Sequence, residues 1–343
     1  MNRAGLQSNP PLRTAEVSLA ELQQLEGQLQ SLRDADAATS SKARTGEWRA
    51  VAVVVAVLGL FEAAFLLGKH KLSKDVEHLQ AFSTLAAKLE HAPAGQPKIL
   101  FLGNSLTRYG VEEATFQQQF AELTGQTATT VKVVPDNTAV ADWSYVFRNQ
   151  FTTGGRAPDM LVIGFEGGHL RDAPSRHPDR LAQYYTTWND WPELCARDLP
   201  NFESRAAFVL DKSSAMVGNR DRVTRRALDL LIPGYRAGMD RINASLKGHA
   251  TATVSPTYTR LRNLIETAQK QHTRVILAAM PVPEPYAFDK ELLELIREKQ
   301  VTLLDLRTID GMEPAMFFDG LHMDADGAKV YTRALTQQLA ARQ

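Results

Sequence analysis

Five short, mainly apolar runs, spaced by amphipathic stretches, constrain this chain more than anything else in it. They are Lys98–Gly103, Thr129–Val134, Met160–Phe165, Arg274–Met280 and Val301–Leu306. Runs of this length, with no polar alternation, belong to strands covered on both faces, as in a parallel sheet. Helical patterns fall between or after them, near Glu112–Thr124, Ala141–Phe151, Ser255–Gln271, Asp289–Lys299 and Asp326–Ala341. The alternation predicts an α/β fold, a three-layer α/β/α sandwich with right-handed crossovers. Residues from about 171 to 250 break the rhythm. They read as helical, rich in arginine and aromatics, and supply no strand-like run. A helical insertion directly after the third strand would stand above the C-terminal edge of the sheet, where it can serve as a lid or substrate wall.

The N-terminal part is organised differently. Ala50 to Gly68 is an almost uninterrupted apolar stretch, long enough to cross a hydrocarbon core as a helix. Trp48 and Arg49 flank one end, and Lys69, His70 and Lys71 the other, as suits the headgroup zones. Glu62 is the one carboxylate inside it, a costly group in such a setting. We therefore expect a transmembrane helix over 49–69, too far from the N-terminus for an ordinary cleaved leader. Before it, residues 1–48 form a tail with a short amphipathic helix. Ser18-Leu19-Ala20-Glu21 resembles a capping box, and Leu19, Leu22, Leu25, Leu29 and Leu32 draw a stripe able to meet a protein partner. After it, residues 70–97 read as a helical stalk or docking helix, then a Pro/Gly linker into a domain over 98–343.

Charge and cysteine content narrow the function classes. The 343 residues carry a formal net charge of +0, and the basic residues are dispersed, so nothing here attracts nucleic acid globally. The single cysteine, Cys195, can form no intrachain disulfide and excludes a cysteine-based zinc site. No metal or bound cofactor is expected.

The chemistry sits at two places. The first strand runs into Gly103-Asn104-Ser105-Leu106, which puts a serine just past the C-terminal end of a buried strand. Far downstream stands Asp319-Gly320-Leu321-His322, with an acid and an imidazole three residues apart. A serine hydroxyl needs such a base, and the base works best when a carboxylate orients it. Ser105, His322 and Asp319 are the candidate nucleophile, base and orienting acid.

These two blocks resemble the Gly-Asp-Ser-Leu and Asp-x-x-His blocks of the SGNH/GDSL family of serine esterases and acyltransferases. The resemblance covers roughly residues 97–343. It implies a flavodoxin-like strand order, an acyl-serine intermediate, and an oxyanion hole made by the serine N–H, a glycine N–H after the second strand and an asparagine side chain after the third. Here the match weakens. No glycine follows the second strand, so Ala139 or Val140 would have to donate, with Asn137 as a possible side-chain donor. Glu166 stands where the asparagine would be, leaving Gly167, Gly168 and His169 as alternatives. The resemblance also implies a substrate class, acyl esters of a cell-envelope or exported polysaccharide, and a periplasmic or extracytoplasmic catalytic domain on a single-pass anchor. The missing donors open a second reading, a non-catalytic scaffold in a polysaccharide synthesis or export complex.

Overall fold

A computed structural model describes residues 19–68, 74–232 and 256–342. Ser18, Lys69, His70, Lys71, Ser255 and the part of the insertion from 233 to 250 lie outside the described residues. The chain divides into two compact units, Met1–Ala63 and Ala64–Gln343.

The helix α1 (Leu19–Gly68), most of which belongs to the first unit, runs without a break through both the leucine stripe and the apolar stretch. At 1.5 Å per residue its 50 residues measure about 75 Å. Trp48–Leu67 has a mean hydropathy of 2.6 and no buried residue, so this helix is long and apolar enough to cross a membrane. Leu25, Leu29 and Leu32 are exposed; the side chains of Leu19 and Leu22 are outside the description.

The second unit is built on β1 (Lys98–Leu102), β2 (Thr129–Val133), β3 (Met160–Phe165), β4 (Arg274–Ala279) and β5 (Thr302–Asp305). All neighbours are parallel, in the order β2-β1-β3-β4-β5, the flavodoxin-like arrangement. The period-two geometry of each strand sends alternate residues to two separate cores. Leu100, Leu102, Leu161, Ile163, Val275 and Leu277 face one; Ile99, Phe101, Val162, Ile276 and Ala278 face the other.

Helices close both faces. The preceding pair α2 (Lys74–Gln80) and α3 (Phe82–Glu90) joins α6 (Val140–Phe151) on the first face. The short α4 (Ser105–Gly110) and α5 (Glu113–Thr124) cover the second, where Phe116 and Phe120 stack one turn apart and Phe116 meets Phe101 edge-on at 4.9 Å. Gly125 ends α5 in the left-handed region at φ 73, which a β-carbon disfavours. The insertion contributes α7 (Pro178–Arg180), α8 (Trp191–Arg197), α9 (Phe202–Ser213), α10 (Ala215–Gly218) and α11 (Arg220–Leu231). The crossover then resumes with α12 (Thr259–Lys270), and α13 (Lys290–Glu298) and α14 (Ala325–Ala340) complete the layers.

Of the two readings of 70–97, stalk or docking helix, the described part from residue 74 onward packs as a docking helix. Val76, Leu79, Phe82, Ala86 and Leu89 are buried, and α3 lies against β2. The Val134 N–H at the end of β2 donates to His78 Nε2 at 3.0 Å. A stripe at three- and four-residue spacing is equally suited to a free stalk's partner or to the domain's own core; here the exposed face of β2 and α6 claims it. The domain therefore begins before residue 76, not at 98. Phe82→Ala should lower stability by about 3–5 kcal/mol, whereas exposed Ser83→Ala should change it by less than about 0.5 kcal/mol. Denaturant unfolding followed by tryptophan fluorescence checks this; equal midpoints for the two variants would mean that α3 is peripheral.

Candidate active site

Ser105 is the first residue of α4, and Asn104 caps it. The Asn104 side chain accepts the Leu106 N–H at 3.0 Å, satisfying one of the amides that a helix start leaves without a partner. The same amide group donates to the Thr138 carbonyl at 3.1 Å, which ties the nucleophile turn to the loop after β2. Beneath the turn lies Thr107, 1% exposed. A β-carbon at Gly103 would stand 2.1 Å from Thr107 Oγ1, and one at Gly164 on β3 would stand 2.2 Å from it. Both glycines are required for α4 to sit this close to β3.

The partner loop is a tight reversal. Phe317 and Met323 pair across it, the Phe318 N–H donates to the His322 carbonyl at 3.0 Å, and Gly320 takes φ 74. Asp319 Oδ1 accepts the N–H groups of Leu321 (3.1 Å) and His322 (2.8 Å), which leaves Oδ2 for the imidazole. His322 Nδ1 lies 2.7 Å from Asp319 Oδ2 and its Nε2 lies 2.8 Å from Ser105 Oγ. With the proton on Nδ1 donated to the carboxylate, Nε2 accepts the serine O–H. Partial burial pushes the Asp319 carboxyl up, but hydrogen bonds from the His322 N–H and ring and from the Leu321 N–H outweigh it and hold the group below its usual range. Phe318 stacks on the His322 ring at 5.9 Å and Tyr109 tilts against it at 5.1 Å, so the base is braced on two sides. The two sequence blocks that resemble the SGNH/GDSL family are thus brought together at the C-terminal edge of the parallel sheet, across 217 residues of chain.

The donors expected around them are distributed less simply. Ser105 N–H opens a helix and has no intrahelical acceptor. Ala139 does not offer a free N–H: it donates to Asp142 Oδ2 at 3.2 Å, because Ala139 is the N-cap of α6 and Asp142 sits three residues on. Asn137 is also turned to another task, with Nδ2 3.2 Å from His177 Nε2 in the insertion. Gly167 and Gly168 begin a 3₁₀ turn (Gly167–Leu170) straight after β3, and the first amides of such a turn have no acceptor within it. In that turn the His169 N–H donates to the Glu166 carbonyl at 3.1 Å. The Glu166 N–H donates to His169 Nδ1 at 3.3 Å, which leaves the ring proton on Nε2. Burial and the nearby Arg176 push His169 down to about 4, so the ring is neutral near pH 7 and can donate. Asn104 Nδ2 is 3.4 Å and 3.3 Å from the two ring nitrogens, placing His169 next to the nucleophile's cap. Burial and the like charge of Glu284 raise the Glu166 carboxyl above its usual range.

Asp142 and Asn104 carry weight that the sequence reading did not assign them. Their one legible signal is position: an acid three residues into a helix, and an asparagine immediately before one. Asp142 also accepts the Ser175 hydroxyl at 2.6 Å, so a single buried carboxylate joins the loop after β2 to the insertion. Among the described residues no cluster of three or more His, Cys, Asp or Glu side chains that could hold a metal is present.

No family model and no curated protein matches the chain. Solved structures similar to it include the acetylxylan esterase Axe2 from Geobacillus stearothermophilus, at 14% identity over 71% of this chain and 94% of that one, with a TM-score of 0.35. A lipase/acylhydrolase from Enterococcus faecalis is similar at 14% identity over 72% and 97%, with a TM-score of 0.37. TesA is similar at 12% identity over 71% and 99%, also with a TM-score of 0.37.

Burial raises Asp142 to about 6 against a model-compound value of 3.8, despite its hydrogen bonds from Ser175 and Ala139. The folded state therefore holds this proton more tightly than the unfolded chain. Its contribution to stability is complete below pH 4 and is lost as the pH rises through 6, by about 3 kcal/mol for a shift of this size. Relative to Asp142→Asn, the wild type should lose unfolding midpoint as the pH is raised from 4 to 7. Parallel midpoint curves for the two proteins would contradict this assignment.

Proposed function

We propose that the protein is a membrane-anchored SGNH-type serine esterase or O-acyltransferase acting on acyl esters of a cell-envelope or exported polysaccharide. The observation that carries this reading is the unbroken line Asp319 Oδ2–His322 Nδ1, 2.7 Å, and His322 Nε2–Ser105 Oγ, 2.8 Å. Ser105 Oγ attacks the ester carbonyl carbon while His322 Nε2 takes its proton, and Asp319 stabilises the resulting imidazolium. Collapse of the tetrahedral species breaks the bond to the alkoxy oxygen, which leaves with the proton from His322. The acyl-Ser105 ester is then resolved by water or by a sugar hydroxyl, deprotonated by the same imidazole. In this scheme the Ser105 N–H, the Gly167 and Gly168 amides and the His169 Nε2–H are the donors to the oxyanion. An ionised Glu166 carboxylate aimed at the developing oxyanion would oppose this stabilisation, so the scheme requires its charge to be turned away or removed.

Trp48–Leu67 supports a single-pass anchor. The glycan reading favours residues 1–48 on the inner side and the catalytic domain on the outer one. A second reading, a non-catalytic scaffold, draws on Glu166 at the expected asparagine position and on the engaged Ala139 amide.

Fluorophosphonate labelling of the full-length protein in nonionic detergent separates the two. The wild type should label covalently; Ser105→Ala should not label at all, and His322→Ala should label at a small fraction of the wild-type rate. Asp319→Asn should reduce ester turnover by about 10³–10⁴-fold with the fold intact. A folded wild type that does not label would favour the scaffold.

A further inference from the structure

The insertion encloses a second concavity that the serine chemistry does not use. It measures about 390 Å³ and lies between the segment Arg176–Arg180 and the helices α9 and α11. Five arginines line it (Arg176, Arg180, Arg220, Arg222 and Arg225) against three aspartates, leaving two positive charges in excess. Asp179 is paired with Arg222 at 2.9 Å, and Asp211 with Arg220. Arg180 donates to the Asp136 carbonyl at 2.6 Å. Among the described residues, Arg176 and Arg225 make no ion pair, and both are exposed. An uncommitted guanidinium pair in a concave site presents planar forks that match the oxygens of a carboxylate or phosphate.

The concavity is linked by side-chain contacts to the helix that carries the candidate nucleophile. His177 in its wall has Nε2 3.2 Å from the Asn137 carbonyl, and Arg180 holds Asp136, which in turn pairs with Arg108 of α4 at 2.9 Å. Arg176 acts electrostatically on His169, the ring beside Asn104. Burial, with the nearby Arg180, pushes His177 down to about 4, so this residue adds a neutral imidazole and no negative charge. A chain of contacts, Arg108–Asp136–Arg180, therefore links α4 to the wall of the concavity.

We propose that this arginine-lined concavity binds an oxyanion group carried on a sugar, a uronate carboxylate or a sugar phosphate, with Arg176 and Arg225 as its free ligands. Placing that anion on the substrate of Ser105 rests on the function proposed above; the binding itself does not. The esterase would then select acidic glycans, with the anion seated in the insertion and the ester presented at the serine.

Isothermal titration of the full-length protein in nonionic detergent tests this with three probes: inorganic phosphate, trigalacturonate and neutral xylotriose. The wild type should bind at least one anionic probe and not xylotriose. Arg176→Gln/Arg225→Gln leaves the two ion pairs in place and should weaken anion binding by about tenfold or more. The remote Lys290→Gln, 84% exposed at its side chain, should leave it unchanged. Binding of trigalacturonate alone identifies a carboxylate site, and binding of phosphate alone a phosphate site. Absence of anion binding, or equal loss in Lys290→Gln, overturns the proposal. Serine labelling of the same wild-type preparation is read separately: anion binding without labelling sinks the triad reading alone, and labelling without anion binding sinks this one alone.

Discussion

The site depends on how closely α4 approaches β3. Thr107 fills the space that two missing β-carbons leave, one in its own turn at Gly103 and one on the neighbouring strand at Gly164. Its hydroxyl lies 3.4 Å from the Gly164 carbonyl, so the contact is polar as well as tight. Interiors packed at this density do not tolerate an added carbon without a shift of the backbone. Every distance at Ser105 is inherited from that contact, because the serine is only two residues from Thr107 and its helix is a mere six residues long. Asn104 then fixes the direction in which the turn opens, by holding the Leu106 amide of α4 and the Thr138 carbonyl together.

The insertion is wired to the sheet domain by buried charge. Asp198 accepts from Arg260 at 2.9 Å, from the Tyr145 hydroxyl at 2.9 Å and from the Ser175 N–H at 2.8 Å, joining α12, α6 and the start of the insertion. An ion pair 3% and 0% exposed is no guarantee of stability, since desolvation offsets much of the attraction. Its geometric effect is firm, though: three elements must agree on one position. Asp142 does the same one turn away on α6, from the side of the candidate site. The wall that would shape a substrate groove is thus held by groups whose hydrogen bonds leave little room for independent movement.

Much of this was legible in the residues. The strands were marked by continuous apolar runs because both faces of the sheet are covered, and their observed ends fall within one or two residues of the runs. Ser105 and the Asp319–His322 pair were legible because each occupies a local pattern of a few residues. What could not be read was decided by which of several partners each group takes on folding. The stripe of Leu79, Phe82 and Leu89 says that a helix has an apolar face, but not that β2 and α6 will claim it. Ala139 lost its free amide to a side chain on the next turn, and Asn137 lost its side chain to His177, 40 residues away. The insertion has no strand period to read, and its arginines come together only through folding.

The 217 residues between Ser105 and His322 have a consequence in time. Translation at about 5–20 residues per second spends roughly 10–40 seconds between the two. Throughout that interval the emerging chain carries a serine with no imidazole to accept its proton. The hydrogen bond between Ser105 and His322 forms only once the loop before α14 has closed over β1, so it is among the last contacts of the domain that the growing chain can make.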